Sequence, residues 1–186
     1  MVKREDVNLR FLRQEDLGRV LLWRNSERIR SNMFTDSIIT MSEHAAWFNR
    51  VQDSARSKHL IYEYRGNAAG VVNVADIDKV NLKCYWGFYI GEDSLPKGHG
   101  LAMGCLALRY IFYELGIRKL CSEAFAFNQA SINYHKKLGF LEEGIFKKHI
   151  YKNEKYEDVV CLAAFKETWD VHALTNLCFG GDKTND

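Results

Sequence analysis

Pro96-Lys97-Gly98-His99-Gly100-Leu101-Ala102 leads directly into an apolar segment that extends to Leu115, and this stretch decides the fold. Small residues let backbone N–H groups come close to an anion, and the start of a helix carries a partial positive charge. We therefore expect a phosphate-binding loop at the start of a helix over 100–115, which Gly116 ends. A Gly-x-Gly pair alone is equally typical of a tight turn, so the assignment depends on the next motif.

A second motif, Asn128-Gln129-Ala130-Ser131, follows the first and is itself followed by Gly139-Phe140. Asn is a favoured residue at the start of a helix and Gly at its end, so the pattern predicts a helix over 131–138. A strand over 119–127 separates the two predicted helices. The two motifs therefore frame a helix–strand–helix unit in the second half of the chain.

The rest of the chain supplies strands and two further helices around this unit. Alternating and helical periodicities predict the order β-α-α-β-β-β-α-β-α-β-β, with hairpins at both ends. This order indicates an α/β (α+β) fold, a mixed seven-stranded sheet with helices on both faces. We expect a single domain over residues 1–170 and a mobile, polar tail over residues 171–186. The predicted strands cover 7–12, 58–64, 69–77, 83–90, 119–127, 140–150 and 156–165, and the other helices 16–23 and 41–48.

Composition narrows the functional class. The chain has 186 residues, 47% of them hydrophobic, and a net charge of +2, which favours one globular domain and gives no sign of nucleic-acid binding. No apolar run is long enough for a membrane span, and the charged N-terminus is unlike a signal peptide. Five cysteines without a CxxC pair indicate reduced thiols. We therefore expect a cytoplasmic protein that has no metal site.

Together the two motifs resemble the acetyl-CoA signature of the GNAT N-acetyltransferases. Lys97, Gly100 and Ala102 match its first pattern, with Lys in place of the usual Arg or Gln, and Asn128 and Ser131 match its second. The resemblance implies the GNAT fold, acetyl-CoA as donor and direct transfer of the acetyl group to an amine in a ternary complex. A sheet edge at 88–90 is expected to pair with the pantetheine amides. The expected cofactor-binding residues are Phe88, Tyr89, Ile90, Lys97, Gly98, His99, Gly100, Leu101, Ala102, Asn128 and Ser131.

The same resemblance bears on the catalytic acid. The family usually protonates the departing thiolate with a Tyr four residues before the Gly of the Gly-Phe pair. Here His135 occupies that position and Tyr134 precedes it. Successive helix residues point about 100° apart, so we expect one of the two to face the sulfur. Register favours His135 and leaves Tyr134 as the alternate; core packing for Tyr134 and solvent exposure for His135 are the structural alternatives.

The first third of the chain interleaves bulky aromatic residues with Arg and His, a composition that suits an anionic, planar ligand. An amphipathic helix pair with a solvated Arg explains the same composition equally well. The run also resembles the amino-sugar N-acetyltransferases of the pseudaminic acid pathway. That resemblance implies transfer to the 4-amino group of a UDP-linked 4-amino-4,6-dideoxy-N-acetyl hexosamine, in nonulosonic acid synthesis for flagellin glycosylation. It implies substrate-binding roles for Arg24, His44, Trp47 and Asn73.

Several points stay open at the level of sequence. Candidates for the general base are His44, Glu123 and Asp76, and a chain of water molecules is a further possibility. A protein N-terminal or antibiotic/small-amine acetyltransferase on the same fold is the alternative function. A non-catalytic acyl-CoA-binding module is another, because the usual Tyr is missing. A homodimer is compatible with the sequence, which does not decide the oligomeric state.

Overall fold

The computed structural model describes residues 2–180, which form one mixed sheet with helices on both faces. Seven strands lie in the order β1-β2-β3-β4-β5-β7-β6. The predicted seven-stranded mixed sheet is therefore confirmed. The strands are β1 (Val7–Phe11), β2 (Lys58–Tyr64), β3 (Asn67–Asp78), β4 (Lys83–Ile90), β5 (Lys119–Phe125), β6 (Leu141–Lys152) and β7 (Lys155–Phe165).

Within residues 2–180, six α-helices accompany the sheet, and the four predicted ones are among them. Helix α3 begins at a capping box in which the Thr40 side chain accepts from the Glu43 N–H and the Glu43 carboxylate accepts from the Thr40 N–H. Helix α4 continues as a π-helical turn over Tyr110–Glu114 before Gly116, which has φ +69°. The helices are α1 (Leu17–Asn25), α2 (Glu27–Arg30), α3 (Met41–Val51), α4 (His99–Arg109), α5 (Gln129–Lys137) and α6 (Val171–Phe179).

Among these strands, β4 and β5 form the only parallel pair, and the sheet splits between them. Strands β4 and β5 pair over three residues, from Lys83 with Lys119 to Tyr85 with Cys121, and then diverge. The remaining β4 residues, 86–90, pair with β3 on one side alone. An edge with free backbone groups thus lies in the middle of the sheet.

Helix α4 packs across the sheet at this point and buries its apolar side chains there. Its residues 102–108 are all buried, and this helix packs in the main core against the central strands and α5. A smaller core beside α1 contains Trp23, Ile61 and Val71 on the opposite face of the sheet. The two cores hold the diverging strands from both sides.

The predicted mobile tail is wrong for residues 171–179, which form α6. The Asp170 carboxylate accepts hydrogen bonds from the N–H groups of His172 and Ala173, each at 2.9 Å, and starts this helix. Leu174 and Cys178, one turn apart, are buried in the main core. The sequence predicts a tail here because the residues that follow are polar. Residues 181–186 lie outside the described part of the chain. Within residues 2–180, no helix has the length and apolarity that a membrane span needs.

Candidate active site

A cleft opens where β4 leaves β5. Phe88 points toward α5, with its ring centroid 4.7 Å from that of Tyr134. Alternation along the strand turns Gly87 and Tyr89 to the other face, where Gly87 lies opposite Asn73 of β3. All five residues line one cavity of about 440 Å³. Because the strands have parted here, groups on the two faces of the sheet can meet through the gap.

The predicted phosphate loop lies at the start of α4. Gly98 has φ +105°, a conformation that favours glycine, and its carbonyl accepts from the Ala102 N–H at 3.0 Å. Ala102 is among the expected cofactor-binding residues, but its N–H closes the first turn of the helix and is not a free donor. The N–H groups over 97–101 precede that turn and remain available for an anion.

His99 lies in this loop, but its side chain turns into the protein. The ring is 3% exposed, and its Nδ1 lies 2.7 Å from the Tyr62 hydroxyl. The Tyr64 ring packs against it with centroids 4.4 Å apart. His99 therefore offers its backbone to a phosphate, while its imidazole fixes the loop against β2.

The predicted pantetheine edge over 88–90 lies beyond Tyr85, the last β4 residue that pairs with β5. Successive strand residues direct their backbone groups to opposite sides, so Phe88 and Ile90 face the cleft while Tyr89 pairs with Val71 of β3. The carbonyl of Ile90 accepts a hydrogen bond from Arg28 at 3.1 Å. Phe88 thus presents open backbone groups to the cleft, and the Ile90 carbonyl is capped by a side chain of α2.

The second motif borders the same cavity. Asn128 starts α5, and its Oδ1 accepts from the Ser131 N–H at 3.1 Å. Both residues line the cavity, as do His135 and Tyr134 one turn further along. The second motif therefore lines the cleft, and Tyr134 connects it to the first motif through the Gly100 carbonyl.

His135 is buried, with both ring nitrogens bonded to protein atoms. Its Nδ1 lies 2.7 Å from the Ser131 carbonyl, so Nδ1 donates and Nε2 accepts from the Ser122 hydroxyl at 2.7 Å. Burial among Trp86 and Phe140 lowers the pKa of His135 to about 4. At neutral pH the ring is uncharged and has one proton, which the Ser131 carbonyl holds.

Tyr134 lines the same cavity and is also engaged. Its hydroxyl donates to the Gly100 carbonyl at 2.7 Å, in the first turn of α4. Burial raises the pKa of the phenol well above its usual range. Both candidate acids therefore have their protons in hydrogen bonds to backbone carbonyls, and the choice between them stays a prediction.

Ser122 is the cavity residue that sequence reasoning missed. It is 3% exposed, faces His135 from β5 and lines the cleft. The signal available in the sequence is a single hydroxyl residue in a strand, which does not reveal a partner thirteen residues away. Its proton is directed at His135 Nε2, so its oxygen lone pairs remain open to the cleft.

A second cavity of about 390 Å³ lies on the α1–α3 side of the sheet. It contains three of the residues predicted for the acceptor, Arg24, His44 and Trp47. Asn73, the fourth, lines both cavities, together with Met33 and Tyr89. The four predicted acceptor residues thus lie around one space that adjoins the cleft.

Two polar atoms in this second cavity lack protein partners. Arg24 Nη1 and His44 Nε2 are buried and form no hydrogen bond, although the Arg24 Nη2 donates to the Thr35 carbonyl. Burial lowers the pKa of both side chains; the guanidinium remains charged, and the imidazole is neutral at pH 7. The Trp47 ring stacks on His44 with an interplanar angle of 14°. Two residues that line the cavity therefore have buried polar atoms without a protein partner, and they lie beside a flat aromatic surface.

The three candidate general bases lie in different places. Glu123 lines the cleft and His44 the second cavity. Asp76 lies in neither cavity; it has φ +50° at an irregularity in β3 and pairs with Arg56 at 3.6 Å. The structure therefore does not support Asp76 as a base, because its carboxylate is exposed and turned to a different partner.

Known proteins share this architecture. The chain is 28% identical over 90% of its length to the prophage-derived N-acetyltransferase YokL of Bacillus subtilis, covering 94% of that protein. It is 23% identical over 82% of its length to spermidine N(1)-acetyltransferase of Vibrio cholerae, covering 89% of it. A solved structure of the Vibrio cholerae spermidine N-acetyltransferase, in complex with CoA and spermine, superposes with a TM-score of 0.83. That match is 21% identical, and it covers 88% of this chain and 97% of the other.

The family model for the acetyltransferase (GNAT) domain matches residues 9–161, which include every strand from β2 to β6 and most of β1 and β7. The match spans the phosphate loop, the open edge of β4 and the start of α5. The edge of β4 and the start of α5 line the cleft, and the loop begins α4, whose Gly100 carbonyl accepts from Tyr134 of α5. The chain therefore belongs to the GNAT family and is an N-acetyltransferase that uses acetyl-CoA.

Proposed function

We propose that this enzyme acetylates the 4-amino group of a UDP-linked 4-amino-4,6-dideoxy-N-acetyl hexosamine, a step in nonulosonic acid synthesis of the pseudaminic type. The acceptor would extend from the second cavity, where its nucleotide binds, to the gap between β4 and β5, where its amine meets the thioester. The observation that carries the proposal is the pair of buried, unpartnered polar atoms of Arg24 and His44. A diphosphate and a uracil ring would supply partners for both.

The shape of the site supports this arrangement. An added Cβ at Gly87 would meet nothing within 4 Å, so there is open space above β4 on the acceptor side. Asn73 lies directly opposite and borders both cavities. An amine at this point would be within reach of a thioester that lies along the open edge of β4 at Phe88. Transfer would then depend largely on proximity and orientation of the two substrates.

The charges in the two cavities are balanced and give a polyamine no particular advantage. The second cavity contains Arg24 and Glu43, and the carboxylate of Glu43 is held in the capping box of α3. The cleft contains Arg28 and Glu123. Neither lining has an excess of negative charge, whereas a polyamine carries several positive charges that need carboxylates nearby.

We propose the following division of roles among the chain's own residues. The N–H groups over 97–101 would hold the pyrophosphate of CoA, and acetyl-CoA would supply the acyl group. Glu123, in the cleft, would take the proton from the amine. His135 or Tyr134 would return a proton to the thiolate once its hydrogen bond to a backbone carbonyl exchanges for one to sulfur.

A small-amine acceptor is the second candidate. The spermidine acetyltransferases among the relatives favour it, and Glu123 is a carboxylate suitably placed for a cation in the cleft. Under this alternative, Arg24 would have no ligand role. The two candidates therefore make opposite predictions about a nucleotide.

Calorimetry with UDP tests the proposal without turnover. We expect UDP to bind the wild-type protein and the Arg24→Met variant to bind it about 10- to 100-fold more weakly, since a hydrogen bond to a charged group contributes roughly 1.5–3 kcal/mol. Arg19→Met is the matched control, because Arg19 lies on the same helix and is 52% exposed. Equal UDP affinity of Arg24→Met and the control, or no UDP binding by the wild type, would contradict the proposal.

A further inference from the structure

Lys152 is a buried charged residue that the proposed chemistry does not use. It ends β6, next to the two-residue turn Asn153-Glu154, and its side chain is 2% exposed. Its hairpin partner Lys155 has a side chain that is 66% exposed, so the environment of Lys152 is not typical of this turn. A buried ammonium is costly unless its donors are satisfied.

The donors of Lys152 are satisfied by a segment more than a hundred residues earlier. Its Nζ lies 2.7 Å from the Asp36 carboxylate and 3.1 Å from the Met33 carbonyl. The same nitrogen lies 5.7 Å from the centre of the Phe125 ring, whose edge-to-face partner is Phe34 at 5.0 Å. Lys152 therefore contacts the segment 31–40 through an ion pair with Asp36 and a hydrogen bond to the Met33 carbonyl. The ring of Phe125 adds an indirect contact, because it lies against both Lys152 and Phe34.

Segment 31–40, which links α2 to α3, borders both cavities. Met33 lines the cleft and the second cavity, and Phe34 lines the cleft. On the other side of the segment, Arg30 donates to the Asp36 carbonyl at 2.9 Å and Asn25 donates to the Ile39 carbonyl at 2.8 Å. These bonds hold the segment against α1 and α2, and among the hydrogen bonds and ion pairs of residues 2–180 those of Lys152 tie it to the β6–β7 hairpin.

We infer that Lys152 is a positioning residue, which fixes segment 31–40 across the gap between β4 and β5 and so sets the wall of the acceptor site. The ion pair with Asp36 holds Met33 and Phe34 in place while the acceptor binds. The effect is confined to the acceptor side, because Lys152 contacts no residue of the 97–101 loop. The functional part of this inference rests on the proposed acceptor; the structural part does not.

Hydrogen exchange of the intact protein tests the anchor. In Lys152→Met, we expect amides of segment 31–40 to exchange at least about tenfold faster than in wild type, since a charge-assisted bond and a backbone bond are lost. Asp36→Asn, altered at a side chain that is 47% exposed, gives the same selective change in smaller degree and is available should Lys152→Met not fold. Lys155→Met is the matched control and leaves this segment unchanged.

Steady-state kinetics supply the functional readout. With the UDP-linked 4-amino sugar as acceptor, both variants raise the KM for the acceptor and leave the KM for acetyl-CoA within about twofold of wild type. Unchanged exchange over 31–40, or acceleration spread evenly over the whole domain, would overturn the anchor. An equal rise in both KM values would overturn the positioning role. If the wild type acetylates no UDP sugar, the proposed function fails, while the exchange experiment still decides the anchor.

Discussion

Protonation of His135 gives a sharp test of how the centre of the cleft is built. Burial and the hydrogen bond from Nδ1 to Ser131 keep the ring neutral, with its pKa lowered from 6.5 to about 4. The unfolded chain, whose histidines titrate near 6.5, therefore takes up a proton before the folded protein does. Stability due to this residue is complete above pH 6.5 and falls as the pH decreases toward 4.

The size of the effect follows from the two pKa values. The difference corresponds to roughly 3 kcal/mol in total, of which about 2 kcal/mol is lost by pH 5. His135→Asn keeps an N–H donor near Ser131 and removes the titration. Urea unfolding at pH 7, 6 and 5, followed by tryptophan fluorescence, should therefore show a steeper loss of stability for wild type than for the variant. The other histidines contribute to both proteins and cancel in the comparison.

The same experiment constrains catalysis. In the folded protein, His135 does not titrate near neutral pH. We therefore expect that any inflection of kcat near pH 6.5 in the wild type is also present in His135→Asn. Parallel pH dependence of stability in the two proteins would refute the reasoning, since it would mean that His135 is not held neutral in the fold.

Two glycine substitutions test the neighbouring parts of the site. In Gly104→Ala, the added Cβ would overlap the Tyr134 hydroxyl, so we expect the free energy of unfolding in urea to fall by about 1–3 kcal/mol. Gly18→Ala is the control: its added Cβ meets nothing within 4 Å, so its urea midpoint should equal or exceed that of wild type. An unchanged unfolding midpoint for Gly104→Ala would contradict the packing. In Gly87→Val, the branched side chain fills the open space on the acceptor side, and we expect kcat/KM for the acceptor amine to fall at least about tenfold while calorimetry shows unchanged CoA binding. Weakened CoA binding would place the space over Gly87 on the cofactor side instead.

The sequence predicts this site well where the chemistry is local. A glycine at positive φ before a helix and an Asn at a helix start are fixed by a few neighbouring residues, and Gly98 and Asn128 both lie where the motifs place them. The strands follow from short-range alternation. A crossover helix between β4 and β5 requires these two strands to be parallel, and the sequence predicts that pair. The sequence does not predict that the strands pair over three residues and then diverge to form the cleft.

The features that the sequence does not reveal depend on distant partners. Ser122 and Lys152 are ordinary residues along the chain, and only the fold brings them to His135 and Asp36. The direction of the His99 ring depends on tyrosines of β2. Side-chain pairing across the sheet is a tertiary property, so local pattern placed the backbone of the site correctly and left its side-chain network undetermined.

The acceptor we propose is a nucleotide-linked amino sugar. A direct competition offers the wild-type enzyme limiting acetyl-CoA with equal concentrations of the UDP-linked 4-amino sugar and spermidine, and resolves the products by mass spectrometry. We expect acetylated UDP sugar as the dominant product, with spermidine left unmodified. Acetylspermidine as the dominant product would contradict it and assign the two cavities to a small-amine acceptor.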